Sequence, residues 1–207
     1  ATATASGFSS GGGTVEVTAR QTGGGGGNQV NTTAGNRSSG TGSTIINAVS
    51  GSTSGTLRLT QIATGGNGGT IQSGTVAGHG GVANSSLTAT NPGGGPVEGN
   101  ITSASGTGGN ASGSATPGNG GDATANLHLT GSNTVTTNTN GFAGFGGTGG
   151  AGGALRGLGN SVARSSTTGG FFTQARASAS GRIGTATSRC DNSVGAITST
   201  SLMAHAT

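Results

Sequence analysis

Apolar and polar residues alternate along this chain in short blocks, and glycine clusters separate the blocks. Val15-Glu16-Val17, Leu57-Arg58-Leu59 and Leu127-His128-Leu129 each place two apolar side chains around a polar one. A period of two predicts strands with one face buried and one exposed. Thr, Val and Ile around these triads suit a pleated surface. No stretch carries Ala, Leu, Glu or Lys at helical spacing, so no helix is predicted. The glycine clusters are expected to form turns or extended, polyproline-II-like rods. Such rods have no internal hydrogen bonds and, if buried, must pair with their neighbours.

The blocks repeat. Residues 14–27 read TVEVTARQTGGGGG and residues 56–69 read TLRLTQIATGGNGG, an offset of 42. Thr-Gly-Gly begins at Thr22, Thr64, Thr107 and Thr148, in steps of 42, 43 and 41. GHGG at 78–81 and GNGG at 118–121 form a second marker; GGGTVE at 11–16 and GGGPVE at 93–98, 82 residues apart, form a third. A period near 42 predicts a single repeat array over 1–207: a partial unit 1–22, units 23–64, 65–107, 108–148 and 149–189, then a segment 190–207 that is a cap or a subunit junction.

Composition narrows the architecture. Of 207 residues 49 are Gly, 6% are charged and 2% are aromatic, and there is no Trp, Tyr or Lys. Ordinary globular domains carry about 25% charged residues and about 7% Gly, so one deep core is not expected. The expected fold is all-β, a β-solenoid in which each repeat supplies about two rungs of about 21 residues around a narrow interior of small side chains. A sheet or sandwich with glycine rods packed beside it is the alternative. A propeller has too few clear strands per repeat and too few aromatics.

TVEVTARQTGGGGG, TLRLTQIATGGNGG and GNGGDATANLHLT resemble the Gly-rich β-strand repeats of very long secreted bacterial proteins of the autotransporter-like or surface-sorted kind, across most of residues 11–180. The resemblance implies export or surface display and an adhesive or matrix-forming role. It brings no catalytic residues with it.

Candidate chemistry is sparse. The acids are Glu16, Glu98, Asp122 and Asp191, and the histidines are His79, His128 and His205. A nucleophile needs a base and an orienting group within reach, and no G-x-S-x-G elbow is present. His79 and Asp122, one repeat apart, are the one pair that could meet. His79 and His128 are not at metal-ligand spacing, and Asp122 after Gly120-Gly121 is the only calcium-roll candidate. No catalytic, cofactor-binding or metal residue is therefore assigned, and no cofactor. Thr-x-Thr patterns at Thr2-Ala3-Thr4, Thr88-Ala89-Thr90 and Thr136 to Thr139 could form threonine ranks that bind ice or a polysaccharide. Cys190, the only cysteine, is either an inert small residue or an interchain link.

The net charge is +4, but the eight Arg are scattered and no aromatic platform accompanies them, so nucleic acid is not an expected partner. Neither a signal peptide nor a membrane span is legible, and the chain starts at Ala1, as a processed fragment would. The expected role is a non-enzymatic, extracellular or cell-surface structural protein whose partners are copies of itself. The alternative is an adhesin or binding module for a glycan, a surface or ice. Assembly predicts complementary ends, whereas binding predicts a specific lateral face.

Overall fold

A computed structural model describes residues 2–29, 37–150, 157–169, 171–191 and 196–206. The fold is an all-β solenoid, with no helix among the described residues. A first strand, β1 (Ala5–Ser9), precedes the coils. Each later coil sends one strand through a six-stranded sheet and returns another through a five-stranded sheet. The first sheet holds β2 (Val15–Thr22), β5 (Leu57–Thr64), β7 (Val97–Ala104), β9 (Val135–Phe142), β11 (Phe172–Gly181) and β13 (Ala196–Ala206). The second holds β3 (Ser43–Ile46), β6 (Ala83–Thr90), β8 (Ala123–Thr130), β10 (Ser161–Thr168) and β12 (Gly184–Asp191). All neighbours are parallel, as stacking of successive coils requires. One irregularity in register falls between Ala175 and Ala177, where β11 meets β13.

The coil repeat is shorter than the sequence markers suggest. Val15 pairs with Leu57, Leu57 with Val97 and Val97 with Val135, which are steps of 42, 40 and 38. One repeat is one coil rather than two rungs of about 21, because each passes through each sheet only once. The remaining residues run out from the sheets and back as paired glycine rods, such as 65–71 and 76–82. The last coil lacks rods: β11 turns at Arg182 and Ile183 straight into β12, and Thr173 pairs with Ile197, a step of 24.

Between the sheets the alternating apolar positions meet. Val15, Val17, Leu57, Leu59, Leu87, Val97, Ile101, Leu127, Leu129 and Val135 form one buried cluster. Further along the stack the interior changes to Ala163, Ala177, Ala179 and Ala186, with the hydroxyls of Thr137, Thr139, Ser161, Ser165, Thr167 and Thr173 also buried. Ser165 Oγ donates to Thr137 Oγ1 at 2.7 Å. The Oγ atoms of Thr139, Ser161, Thr167 and Thr173 have no hydrogen-bond partner. A buried hydroxyl without a partner is destabilising. Thr139→Val keeps the shape and removes the hydroxyl, so it should stabilise by about 1 kcal/mol and raise the melting midpoint. A lower midpoint than wild type would show that this hydroxyl does have a partner in solution.

At Asn47 (φ 47°) the second sheet splits. Beyond this bend β4 (Val49–Thr53) leaves β6 and pairs with β1. The Asn47 side chain covers the break, its Oδ1 accepting from the Thr88 N–H at 2.8 Å. A small-side-chain Asn is a residue type that tolerates this left-handed conformation.

Candidate interaction surfaces

The glycine rods follow a three-residue period, that of polyproline II. The period appears in how each backbone N–H is used. At the first position of a triplet, Gly65 and Gly68 donate to Ala104 and Thr107 of the next coil, both at 2.8 Å. At the second, Gly66 and Gly69 donate to Thr41 and Ser38 of the preceding return rod. These cross-rod bonds join into a zigzag: Gly66 to Thr41, Gly81 to Gly66, Gly106 to Gly81, Gly121 to Gly106, Gly144 to Gly121, Gly159 to Gly144 and Arg182 to Gly159, each 2.8–3.0 Å. The rods thus satisfy externally the backbone groups that a polyproline-II segment leaves open.

At Gly65 and Gly66 glycine is demanded by space, not by positive φ, although the Gly65 column also holds Ser105 and Ala143. A Cβ on Gly65 would lie 2.1 Å from Gly81 O, and one on Gly66 2.0 Å from Gly24 O; neither residue is in the left-handed region. The third position faces solvent and admits side chains. Along the outgoing rods it carries Gly25, Asn67, Thr107 and Phe145 in one column, and Asn28, Thr70, Asn110 and Thr148 in the next. The N–H at this position points outward, and the side chain of the coil before caps it. Thr70 N–H donates to Asn28 Oδ1 (2.9 Å), Thr107 N–H to Asn67 Oδ1 (3.0 Å) and Thr148 N–H to Asn110 Oδ1 (2.9 Å). The return rods do the same with Ser39, His79 and Asp122, which accept from the N–H groups of His79, Asn119 and Asn160.

This placement answers the sequence-level pairing of His79 and Asp122. They belong to neighbouring columns, and each caps a different backbone N–H, so they make no contact with one another among the hydrogen bonds of the described residues. His128 stands on the outer face of the second sheet, with Nδ1 2.7 Å from Ser166 Oγ and Nε2 3.3 Å from Thr130 Oγ1. A hydroxyl on each ring nitrogen leaves this Ser–His contact without the carboxylate that orients the imidazole in hydrolytic triads. No cluster of three metal-ligating side chains occurs among the described residues. His205 lies in β13, whose side chains are outside the description.

The threonine patterns divide. Thr88 and Thr90 face outward, Thr90 in register with Thr130 and Thr130 with Thr168. Thr137 and Thr139 instead point into the core, so the Thr136–Thr139 segment offers no exposed rank. Cys190 is half-buried on the last coil, in register with Thr167.

On the outer face of the first sheet, Arg58 bridges two coils, donating to Glu16 Oε1 and Glu98 Oε2 at 2.9 Å each. Hydrogen bonds to Glu16 first and Glu98 second hold the Arg58 guanidinium above its ordinary value. A base whose folded-state pKa is raised contributes below its unfolded value and is lost only on rising through the folded one. For an arginine that window is strongly alkaline, so its titration gives the ladder no switch near neutrality.

Grooves among the described residues cross this surface. One, about 590 Å³, lies between the two outgoing-rod columns, with Asn67, Thr70, Asn110 and Phe145 on its walls. A second of about 210 Å³ lies over His128, Arg164 and Ser166. A third of about 360 Å³ lies where β4 leaves β6, beside Phe8 and Pro92. At the two ends of the stack, β2 and β3 lie on one outer edge, and β12 and β13 on the other. No helix of the described residues is long and apolar enough to cross a membrane. No protein-family model, curated protein or solved structure matches this chain.

Proposed function

We propose that the chain is a non-enzymatic structural element of an extracellular or cell-surface fibre or matrix, in which copies stack end to end. The observation that carries this reading is the pair of open stack ends. Strands β2 and β13 are terminal in the same parallel sheet, so β2 of one copy can extend the ladder on β13 of another without reversing direction. A head-to-tail contact of this kind, between two different surfaces, does not close on itself and yields filaments. Edges that stay monomeric are often blunted by Pro or by rows of charge; β2 has no Pro, and its two charges, Glu16 and Arg20, are of opposite sign. The surface chemistry agrees, with few charges and many Asn, Ser and Thr, as does the resemblance to secreted bacterial repeat proteins.

The purified chain at high concentration should give uniform filaments on electron micrographs, with an axial repeat near 4.7–4.9 Å, the spacing of adjacent strands. Thr18→Pro is the companion test. Val15 donates its N–H to Thr56 of the neighbouring coil, and in a parallel strand the even-numbered groups of β2 point the other way. Proline at Thr18 therefore removes a donor from the open edge alone. Filaments should disappear while the far-ultraviolet spectrum stays that of a folded β protein. Single particles from the wild-type chain, or filaments undiminished in Thr18→Pro, would overturn end-to-end stacking through β2.

A further inference from the structure

We infer that the groove along the outgoing rods is a binding site for an extended, uncharged polysaccharide. This reading is independent of end-to-end stacking, because the groove lies on a lateral face. Its walls are the two columns of outward-facing third positions, and its floor is glycine backbone. The columns stand three residues apart, about 9 Å at the polyproline-II rise. Successive coils follow at about 4.8 Å, a distance comparable to the advance of one sugar ring in an extended glycan.

The donors in this groove are oriented. Asn28, Asn67 and Asn110 each spend their amide oxygen on the N–H of the following coil, which fixes the side-chain plane and leaves the Nδ2 hydrogens facing solvent. Such a fixed, neutral donor suits a hydroxyl or ring oxygen and loses little side-chain entropy on binding. Phe145, 66% exposed, stands in the Asn67 column, where its face can stack on the C–H face of a sugar ring. Three residues earlier on the same coil, at the end of β9, Phe142 is also exposed at 44%. No lining residue of this groove is charged, so an anionic chain gains nothing from it. The groove is open along its length, which fits a linear chain rather than a compact ligand.

The glycine third position at Gly25 marks one end of the site, since it presents no side chain to the groove. Asp122 shows what a test substitution will do. Its carboxylate caps the Asn160 N–H at 2.7 Å on the return-rod face, so aspartate can replace asparagine as a cap without disturbing the rods. Asn67→Asp with Asn110→Asp therefore keeps both backbone caps while removing both amide donors.

The experiment is affinity electrophoresis of the purified chain, in its filament-blocked Thr18→Pro form and as wild type, through gels containing cellulose derivatives without charge, xylan or dextran, with alginate as the anionic control. At least one neutral polysaccharide should retard the chain, and about 0.5 M salt should not release it, because screening acts on charges. Phe145→Ala and the double Asn→Asp variant should each weaken retardation about tenfold or more, with unchanged melting midpoints. Retardation by alginate alone, release by salt, or retardation untouched in both variants would overturn the site. So would loss of self-association in Phe145→Ala with no retardation by any neutral polysaccharide, which would make this face a contact between copies.

Discussion

Gly106→Ala should be among the most damaging single methyl groups that can be added at the described residues. Its Cβ would sit 1.8 Å from Gly66 O and 2.5 Å from Gly66 C, and 3.0 Å from Gly81 N. All three are backbone atoms, so no side chain can rotate away. Gly106 is also a link in the cross-rod zigzag, donating to Gly81 O and accepting from the Gly121 N–H. Making room means separating the rods of two successive coils and breaking both bonds. Overpacking costs about 1–3 kcal/mol where neighbours can adjust; here they cannot, and about 4 kcal/mol or more is expected. For a chain of this size each kcal/mol lowers the midpoint by about 2–4 °C. Gly25→Ala, two coils earlier, is the control. The nearest atom to its added Cβ is Asn67 O at 3.7 Å, and removing glycine freedom from the unfolded chain should stabilise by about 0.4–1 kcal/mol. Opposite signs for two Gly→Ala changes, read by thermal and chemical melts, would establish the triplet rule. Equal effects would dismantle it.

That rule also explains where the sequence could be read and where it misled. Alternation in Val15-Glu16-Val17 and Leu57-Arg58-Leu59 located strands correctly, and their offset of 42 is the true register between β2 and β5. GGGTVE and GGGPVE are likewise in register, since Glu16 pairs with Arg58 and Arg58 with Glu98. GHGG and GNGG, 40 apart, also mark a real coil step. Thr-Gly-Gly does so only from Thr22 to Thr64. Thr107 N–H bonds to Asn67 of the coil before, not to the coil's Thr64, so this marker moves one triplet outward. It moves another at Thr148, bonded to Asn110. A rod made of repeated x-Gly-Gly looks the same after a slip of three, so the marker steps of 43 and 41 each exceed the coil steps of 40 and 38 by one triplet.

Other features depended on knowledge no single segment holds. Whether a strand's odd or even residues face inward is ambiguous in Thr136-Thr137-Asn138-Thr139, where every residue is small and polar. Register with Ile101 and Ala177 puts Thr139 inside. The outward asparagines read simply as soluble residues until the coil spacing places each beside the next coil's N–H. The same holds for His79 and Asp122: their separation permitted contact, but the three-residue period assigns them to different columns.

Gln61 is a further residue whose role only the folded stack reveals, and its replacement should rank beside that of Gly106. It occupies an inward position of β5, fully buried among aliphatic side chains. Its Oε1 accepts from the Ala48 N–H at 2.9 Å, and its Nε2 lies within donating distance of Ile45 O, Ser85 Oγ and Ser86 O at 2.9–3.1 Å. It therefore repairs, from inside, the backbone that the Asn47 bend opens in the second sheet. Gln61→Leu fits the apolar surroundings but strands the buried Ala48 N–H, while Ser86 O keeps the Asn47 N–H. With about 1–3 kcal/mol for a group left unpaired and the other lost Nε2 bonds added, a loss of about 3 kcal/mol is expected. Gln61→Glu separates lost hydrogen bonding from lost shape. One carboxyl oxygen can still accept from Ala48, but the other would face the Ile45 and Ser86 carbonyls. Only the protonated acid can donate there, so burial and those carbonyls raise the folded-state pKa above the ordinary glutamate value of about 4.3. A raised carboxyl pKa means the folded state binds the extra proton. The variant's deficit should therefore be smallest below about pH 4 and grow as pH rises through the folded-state pKa. Comparing chemical melts of Gln61→Glu and wild type from pH 4 to pH 8 reads this directly. A deficit independent of pH would mean that the Gln61 amide does not serve as the donor to these carbonyls.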